Sequence, residues 1–138
     1  MDDFYKEYIL DHYRNPRNFG QLEQPDATAE DLNPLCGDRI RFDLKVDAEG
    51  RVTDVRFSGK GCAISQASAS MLSESLKGEK LDDVARMPQE RVLENIGIGI
   101  SAARMKCAML GLKVAKSAAL GRLAQWPDEE NGEGSPST

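Results

Sequence analysis

The chain has 138 residues, of which 40% are hydrophobic and 30% are charged, and its formal net charge is -5. This length predicts one domain with a sizeable core, and the acidic balance argues against a nucleic-acid partner, which normally needs a basic face to neutralise phosphates. No apolar run approaches the roughly 20 residues that a membrane-spanning helix needs, so we expect no membrane residence either.

The cysteine count bears on the compartment and on the chemistry. There are three cysteines, and the acidic start of the chain lacks the basic and apolar segments of a secretion signal. We therefore expect a cytoplasmic protein with reduced thiols. An odd number of reduced cysteines favours metal binding or reactive thiol chemistry over a disulfide framework.

The first predicted element is a helix over residues 3–14, because apolar and aromatic residues recur there at steps of three and four. It is expected to end near Asn15, ahead of Pro16. His12, the single histidine, lies on or beside this apolar stripe. Nothing near it in sequence could complete a metal site, so we expect it to pack or to form a hydrogen bond.

Residues 15–35 contain three prolines in a polar, acidic mixture, which predicts a surface connection. Strict alternation over residues 40–46 and an extended pattern over residues 52–57 then predict a hairpin with one face on a core. Between the connection and the hairpin lies Asn-Pro-Leu-Cys-Gly-Asp at residues 33–38. These are turn formers, and a plain turn is one interpretation; the other is that Gly37 lets Cys36 and Asp38 face one metal ion.

The second half of the chain is predicted to be helical. Cys62 follows two glycines at the start of a helix that runs through Lys77 and ends at Gly78, and the small residues of this helix predict close packing. A short helix over residues 81–85, another that begins at Pro88 and a loop over residues 97–100 follow.

The last predicted helix covers residues 102–124 and should be largely enclosed, because apolar residues occupy two of its sides. Cys107 falls in its opening turns, where the peptide dipoles favour a thiolate. We interpret residues 1–126 as a single domain. Residues 127–138 are rich in Gly, Pro, Ser and acidic side chains, which predicts a disordered C-terminal tail.

The three cysteines are far apart in sequence, unlike the local ligand pairs of zinc fingers and ribbons. Each lies at the edge of a predicted element, and in a small sheet packed by helices such edges can meet at one end. One interpretation is therefore a Cys3Asp metal site formed by Cys36, Asp38, Cys62 and Cys107. The other is that the cysteines are buried and act as small hydrophobic residues.

Four blocks of sequence carry a resemblance to a known family. They are the start from Tyr5 to Gly20, the loop at residues 33–38, the stretch Gly61-Cys62-Ala63-Ile64-Ser65-x-Ala67-Ser68-Ala69-Ser70, and Arg104-x-Lys106-Cys107-Ala108. In this order they resemble the IscU/SufU (NifU N-terminal) family over nearly the whole ordered chain. The resemblance implies an α+β domain with a three-stranded antiparallel sheet, helices packed against it and a long C-terminal helix.

The resemblance also implies a function. Members of the family assemble iron-sulfur clusters or pass on sulfur that a desulfurase draws from cysteine. The cofactor would be a zinc ion, or iron and a [2Fe-2S] cluster, held by Cys36, Asp38, Cys62 and Cys107. The partners would be a cysteine desulfurase of the SufS/IscS kind and downstream iron-sulfur acceptor proteins.

Two branches of the family remain open. The scaffold branch has a histidine directly before the third cysteine, where this chain has Lys106, so the Arg104-x-Lys106-Cys107 block leans to the SufU branch, which binds zinc and accepts sulfur. The segment between Cys62 and Cys107 is short, however, as in the scaffold branch. The chaperone-binding prolines of some scaffolds are replaced here by residues 101–103, Ser-Ala-Ala.

In the zinc version we expect Cys36 to leave the metal and accept sulfur, because the glycine beside it allows the loop to swing, while the other three ligands retain the metal. In the scaffold version the same residues hold a nascent cluster, with Asp38 as a weak oxygen ligand. Lys60, Arg104 and Lys106 would either favour anionic sulfur groups or be solvated cations.

A scaffold or carrier is expected rather than a conventional enzyme, with a zinc-dependent sulfurtransferase as the enzymatic alternative. A thiol hydrolase or peroxidase that uses Cys62 or Cys107 would lack a base, since His12 lies in a distant element. A purely structural zinc-binding domain is a further alternative.

Overall fold

The computed structural model describes residues 2–34, 37–122, 124 and 126–127. Within them the elements are α1 (Asp2–Arg14), β1 (Ala27–Leu32), β2 (Arg39–Val46), β3 (Val52–Lys60), α2 (Ala63–Leu76), α3 (Leu81–Ala85), α4 (Gln89–Ile96) and α5 (Ala102–Leu120). The three strands form one antiparallel sheet; α2 and α5 pack against it, and α1, α3 and α4 pack on these two helices. The predicted α+β class with a long C-terminal helix is confirmed.

The predicted hairpin is the centre of the sheet. β2 pairs with both β1 and β3, and Phe42 lies opposite Phe57 while Leu44 lies opposite Val55. All four of these side chains are fully buried, together with Ile40. The alternation of apolar residues therefore sets the register, because a slip by one residue would turn the whole set away from the core.

β1 corrects the prediction that residues 15–35 are only a surface connection. Its six residues carry two alanines and a single β-branched side chain, Thr28, so the intrinsic strand signal is weak. Pairing with β2 supplies what the local sequence lacks, since backbone groups that bond across the ladder favour an extended chain. The sheet partner, rather than the segment's own propensity, makes it a strand.

A buried carboxylate fastens β1 to β2. Asp43, which is 1% exposed, accepts hydrogen bonds from Thr28 Oγ1 at 2.6 Å, Arg41 Nε at 2.9 Å and the Leu22 N–H at 3.0 Å. Burial alone would raise the pKa of Asp43, but these hydrogen bonds outweigh it and hold the pKa below its usual value of 3.8. The Asp43 carboxylate can therefore stay charged inside the fold, because both of its oxygens accept hydrogen bonds.

The N-terminal helix agrees with the prediction, including its end near Asn15. His12 is 1% exposed, and its Nδ1 lies 2.7 Å from Ser70 Oγ on α2. The ring of Tyr8 meets His12 edge-on at 4.7 Å. The expected packing and hydrogen-bonding role of this histidine is confirmed.

Small residues bring α2 and α5 close together, as predicted. A Cβ added at Gly111 of α5 would lie 3.3 Å from the Cα of Ala69 on α2, so the two backbones nearly touch there. Ser68 Oγ donates a hydrogen bond to the Ala108 carbonyl at 2.7 Å across the same interface. The two helices therefore form one tightly joined layer.

The last helix is enclosed as predicted but ends earlier than expected. It ends at Leu120 because Gly121 adopts a left-handed conformation (φ 71°), and its N–H donates to the Ser117 carbonyl at 2.9 Å. The prediction of a helix to residue 124 is therefore wrong by about one turn; its Leu123 lies outside the described residues. The predicted tail also lies outside them, except for Pro127.

The remaining helical predictions are confirmed. The short helix α3 and the helix α4 occur where expected, with Pro88 as the residue that precedes the first turn of α4. Residues 97–101 form the expected loop between α4 and α5. Among the residues that the structure describes, no helix is both long and apolar enough to cross a bilayer.

Candidate metal centre

Two of the predicted ligands meet because of the strand register. Arg39 lies opposite Lys60 in the β2–β3 ladder, so Asp38 and Gly61 leave the sheet at the same end. Cys62 follows directly as the N-cap residue of α2. The hairpin thus brings residues that are far apart in sequence to one sheet end.

The third candidate ligand comes from α5, which packs against α2 and β1. Cys107 lies in the second turn of this helix, where the side chain is 4% exposed. One ligand atom each from Asp38, Cys62 and Cys107 lies within 4.8 Å of the others. Asp38 is 3% exposed and Cys62 is half-buried, so Cys62 is the accessible member of the group.

This donor set fits a zinc ion. Zinc takes thiolates at about 2.3 Å and carboxylate oxygens at about 2.1 Å in tetrahedral sites, so donors that share one ion lie roughly 3.7 Å apart. The separations here require only a small contraction of side chains, which rotamer adjustments can supply. Two soft sulfurs with one oxygen also suit iron, with the carboxylate as the weaker ligand.

Asn33 closes the turn that carries Asp38. Its backbone N–H donates to the Asp38 carbonyl at 2.7 Å, and its own carbonyl accepts from the Gly37 N–H at 2.8 Å. Gly37 has a φ of 76°, which a side chain would strain. The Asn33 side chain is buried, and its Nδ2 donates to Cys107 Sγ at 3.9 Å. The turn is thereby tied to α5.

Gly61 makes room for the site. A Cβ at this position would lie 2.3 Å from Ser65 Oγ and 2.6 Å from Asp38 Oδ1, both well inside van der Waals contact. The Ser65 hydroxyl donates to the Cys62 carbonyl at 3.0 Å and lies 3.9 Å from the Cys62 sulfur. The glycine before Cys62 is therefore required by close packing around the carboxylate.

Cys36, the predicted sulfur acceptor and fourth ligand, lies outside the described residues, so its role stays a prediction. Of the three cations considered from the sequence, Lys60 and Arg104 are exposed. Lys106 is half-buried, with its ammonium 4.6 Å from the centre of the Trp126 ring. The interpretation as solvated cations therefore suits Lys60 and Arg104 better than Lys106.

Two residues near the centre escaped sequence reasoning. The sequence indicates Asn33 as a turn former and as part of the 33–38 block of the family resemblance, but not that its amide reaches the Cys107 sulfur. Gln66 lies one turn after Cys62 on α2; it is 8% exposed, and its Nε2 has no hydrogen-bond partner within the described part of the chain. Neither feature has a sequence signal, since both depend on how the helices pack.

An α+β domain that presents two thiols and a carboxylate at one end of its sheet is an architecture suited to metal and sulfur handling. Residues 4–125 match the family described as the NifU-like N-terminal domain, and the chain belongs to this family. The predicted family membership is confirmed.

Relatives of both branches are similar to this chain. The zinc-dependent sulfurtransferase SufU of Bacillus subtilis is 39% identical over 131 residues, covering 82% of this chain and 87% of SufU. The iron-sulfur cluster assembly scaffold protein IscU of Aquifex aeolicus is 38% identical over 110 residues, covering 79% of this chain and 69% of IscU. The nearly equal identities do not separate the branches.

The fold also matches solved structures. The crystal structure of a putative iron-sulfur cluster assembly scaffold protein for the SUF system from Fervidobacterium islandicum has a TM-score of 0.68 and 25% identity. The match covers 82% of this chain and 94% of that one. The similarity extends over nearly the whole of the solved chain.

Proposed function

We propose that this protein is an iron-sulfur cluster assembly protein that accepts sulfur from a cysteine desulfurase and holds a metal or a nascent [2Fe-2S] cluster. Asp38, Cys62 and Cys107 would retain the metal, and Cys36 would be the sulfur acceptor. The convergence of the first three within 4.8 Å, in a member of this family, is the observation that carries the proposal.

Hydrogen bonds from neighbouring groups hold the described candidate ligands in place. Asp38 Oδ1 accepts a hydrogen bond from the Cys62 N–H at 3.1 Å, and Cys62 stands at the N-terminus of α2. Asn33 donates to the Cys107 sulfur, which suits a thiolate acceptor. A bound zinc ion would add the positive charge that keeps both sulfurs ionised near neutral pH.

Sulfur transfer to Cys36 needs no outside oxidant. The Cys36 thiolate attacks the outer sulfur of the desulfurase persulfide, the sulfur–sulfur bond of the donor breaks, and the donor cysteine leaves as a thiolate. One persulfide forms as another is consumed, so the electrons balance. Gly37, which follows Cys36 and has a positive φ, supports this role because glycine tolerates backbone conformations that other residues do not.

In this function the protein acts as a carrier or scaffold. If it releases the sulfur to an acceptor and repeats the cycle, it acts as a sulfurtransferase enzyme. A desulfurase would act upstream, and iron-sulfur acceptor proteins would act downstream. A reducing compartment such as the cytoplasm suits this work, because the thiols must remain available.

Persulfide mapping tests the sulfur acceptor. The wild-type protein, Cys36→Ala and Cys62→Ala are incubated with a cysteine desulfurase and cysteine, and persulfides are located by mass spectrometry of alkylated peptides. We expect the wild type to carry the persulfide on Cys36 and Cys36→Ala to carry none. Undiminished persulfide on Cys36→Ala would contradict the assignment.

Metal analysis tests the cofactor. The protein is purified without oxygen, its zinc and iron are measured, and its visible spectrum is recorded. A colourless, zinc-loaded protein supports sulfur transfer, whereas a brown, iron-loaded protein supports the scaffold function. Absence of both metals, with no cluster formed on supply of iron, sulfide and reductant, would contradict the proposal.

A further inference from the structure

The residues described after α5 lie back along that helix. Gly121 ends the helix, and the Ala124 N–H then donates to Ser117 Oγ at 3.0 Å, one turn back from the helix end. Ser117 Oγ itself donates to the Lys113 carbonyl at 2.8 Å. The direction of the returning segment is therefore towards the N-terminal end of α5, which carries Cys107.

Trp126, the single tryptophan of the chain, is the next described residue of this segment, and its ring faces two cations. The ammonium of Lys106 lies 4.6 Å from the ring centre and that of Lys113 lies 5.3 Å from it. Both distances are within the roughly 6 Å range of cation–π attraction. Lys106 and Lys113 are seven residues apart, so they occupy one face of α5.

Both lysines are connected to the candidate metal centre, Lys106 through the sequence and Lys113 through side-chain contacts. Lys106 immediately precedes Cys107 in α5. The ammonium of Lys113 forms an ion pair with Asp31 near the end of β1, and both side chains are largely shielded from water. Asn33, two residues after Asp31, bonds to Asp38 and to the Cys107 sulfur. The loop that carries Asp38 is thus anchored at its base by Lys113.

We propose that Trp126 is a positioning residue for the metal centre. Its ring holds the ammonium groups of Lys106 and Lys113, and the Lys113–Asp31 pair then holds the base of the 33–38 loop against α5. This inference rests on the proposed function, because the property that it controls is metal retention at Asp38, Cys62 and Cys107. Loss of the ring would remove its contacts with both ammonium groups and loosen the loop.

Zinc affinity of the intact protein tests the proposal. Wild type, Trp126→Phe and Trp126→Leu are titrated with zinc in competition with a chromophoric chelator, and their melting temperatures are measured without metal. We expect Trp126→Leu to weaken zinc binding about tenfold, the scale found for groups that support metal ligands, and Trp126→Phe to retain most of the affinity because it keeps a π face.

A purely structural role would give a different result. In that case both variants would melt at lower temperature while their zinc affinity stayed at the wild-type value, and this outcome would overturn the proposal. Should Trp126→Leu fail to fold, Lys113→Met decides, because it keeps the ring and most of the packing. Wild-type zinc affinity in Lys113→Met would also overturn the proposal.

Tryptophan fluorescence provides a second readout, because the single indole reports from beside the lysines. We expect zinc to change the emission of the wild-type protein, and this change to be reduced in Lys106→Met but not in Lys77→Met, a control at an exposed residue beyond the far end of α2. An emission unaffected by zinc would count against the proposal. Persulfide mapping depends neither on zinc affinity nor on tryptophan fluorescence. It can therefore refute the proposed sulfur acceptor without bearing on Trp126 as a positioning residue.

Discussion

The backbone N–H of Cys62 donates a hydrogen bond to Asp38 Oδ1 at 3.1 Å. This bond joins the residue before β2 to the residue before α2, and each of the two also offers a candidate metal ligand. The carboxylate is therefore held beside the Cys62 thiol by the backbone, independently of any metal. Mutation can separate the effect of the Asp38 charge from the effect of its hydrogen bond with Cys62.

Asp38→Asn removes the charge of this side chain and keeps an oxygen that can accept from Cys62. We expect zinc affinity to fall at least about tenfold, because a neutral amide is a poor zinc ligand, while stability in the metal-free protein changes little. Asp38→Ala should lose the same affinity and also about 1–2 kcal/mol of stability, because the hydrogen bond disappears.

Chelator competition and urea denaturation measure these two effects for both variants. The comparison between them is the control, since only the alanine removes the acceptor. Wild-type zinc affinity in Asp38→Asn would show that the carboxylate is not a ligand.

Gly61→Ala should disturb the centre although it replaces none of the candidate ligands. The new Cβ would overlap Asp38 Oδ1 and Ser65 Oγ, so we expect the carboxylate to be displaced, zinc affinity to fall, and stability to fall by roughly 1–3 kcal/mol. Combining it with Ser65→Ala removes one of the two overlaps.

The double variant should therefore recover part of the stability and little of the zinc affinity, as read by denaturation and by chelator competition. Full recovery of zinc affinity in the double variant would show that Ser65, and not Asp38, is the group that the Cβ displaces.

Gly59→Ala should be among the most destabilising single changes in the sheet. Gly59 has a φ of 141°, and a Cβ there would lie 2.0 Å from the Arg39 carbonyl oxygen across the ladder. Strain and overlap together should cost roughly 3 kcal/mol or more.

The matched control is Gly50→Ala in the hairpin loop. Its φ of 82° is also positive, but no described atom lies within 4 Å of the added Cβ, so only about 1–2 kcal/mol should be lost. Equal losses in urea denaturation would mean that the Arg39 contact has no energetic effect.

Stability should depend on the protonation of His12. Burial, and then the charge of Arg17, lower the pKa of His12 in the folded protein below its usual value of 6.5, against smaller opposite effects of Glu74 and Asp11. As pH falls below about 6.5, the unfolded chain takes up a proton that the folded protein does not. The contribution of neutral His12 to the free energy of unfolding is thus fully present above pH 6.5, and it is lost as the pH falls towards the pKa of His12 in the folded protein.

The free energy of unfolding, measured in urea between pH 7.5 and 5, should fall with a slope that includes up to about 1.4 kcal/mol per pH unit from this group. His12→Gln should be less stable at pH 7.5, because the contact with Ser70 changes, and should show a shallower slope. An identical slope in the variant would exclude His12 as the source.

The sequence predicts those parts of the fold that rest on local patterns. Alternation in residues 40–46 and 52–57 predicts the hairpin, and helical periodicity predicts α1 and the enclosed α5. β1 could not be predicted from its own residues, because two alanines and acidic side chains give little strand propensity and the ladder with β2 decides. The end of α5 carried a usable signal, since Gly121 is the expected residue at a helix end.

The candidate site was predictable as a set of residues and not as a geometry. Turn chemistry around Gly37 and the helix start at Cys62 indicate where ligands could lie, and the family resemblance joined them to Cys107. Their convergence depends on the strand register and on the close contact of two helices, which involve residues distant in sequence. The position of Trp126 over Lys106 and Lys113 depends likewise on a chain reversal that periodicity cannot show.

The contact between Gly111 and Ala69 has a consequence for how the centre can move. Because α2 and α5 touch through their backbones, the backbone positions of Cys62 and Cys107 are fixed relative to each other, and side-chain rotation alone can change the distance between the two sulfurs. Asp38 is held instead by single hydrogen bonds, from the Asn33 N–H to its carbonyl and from the Cys62 N–H to its side chain. We therefore expect a metal ion to enter or leave the centre by movement of Asp38, while the backbones of Cys62 and Cys107 stay in place.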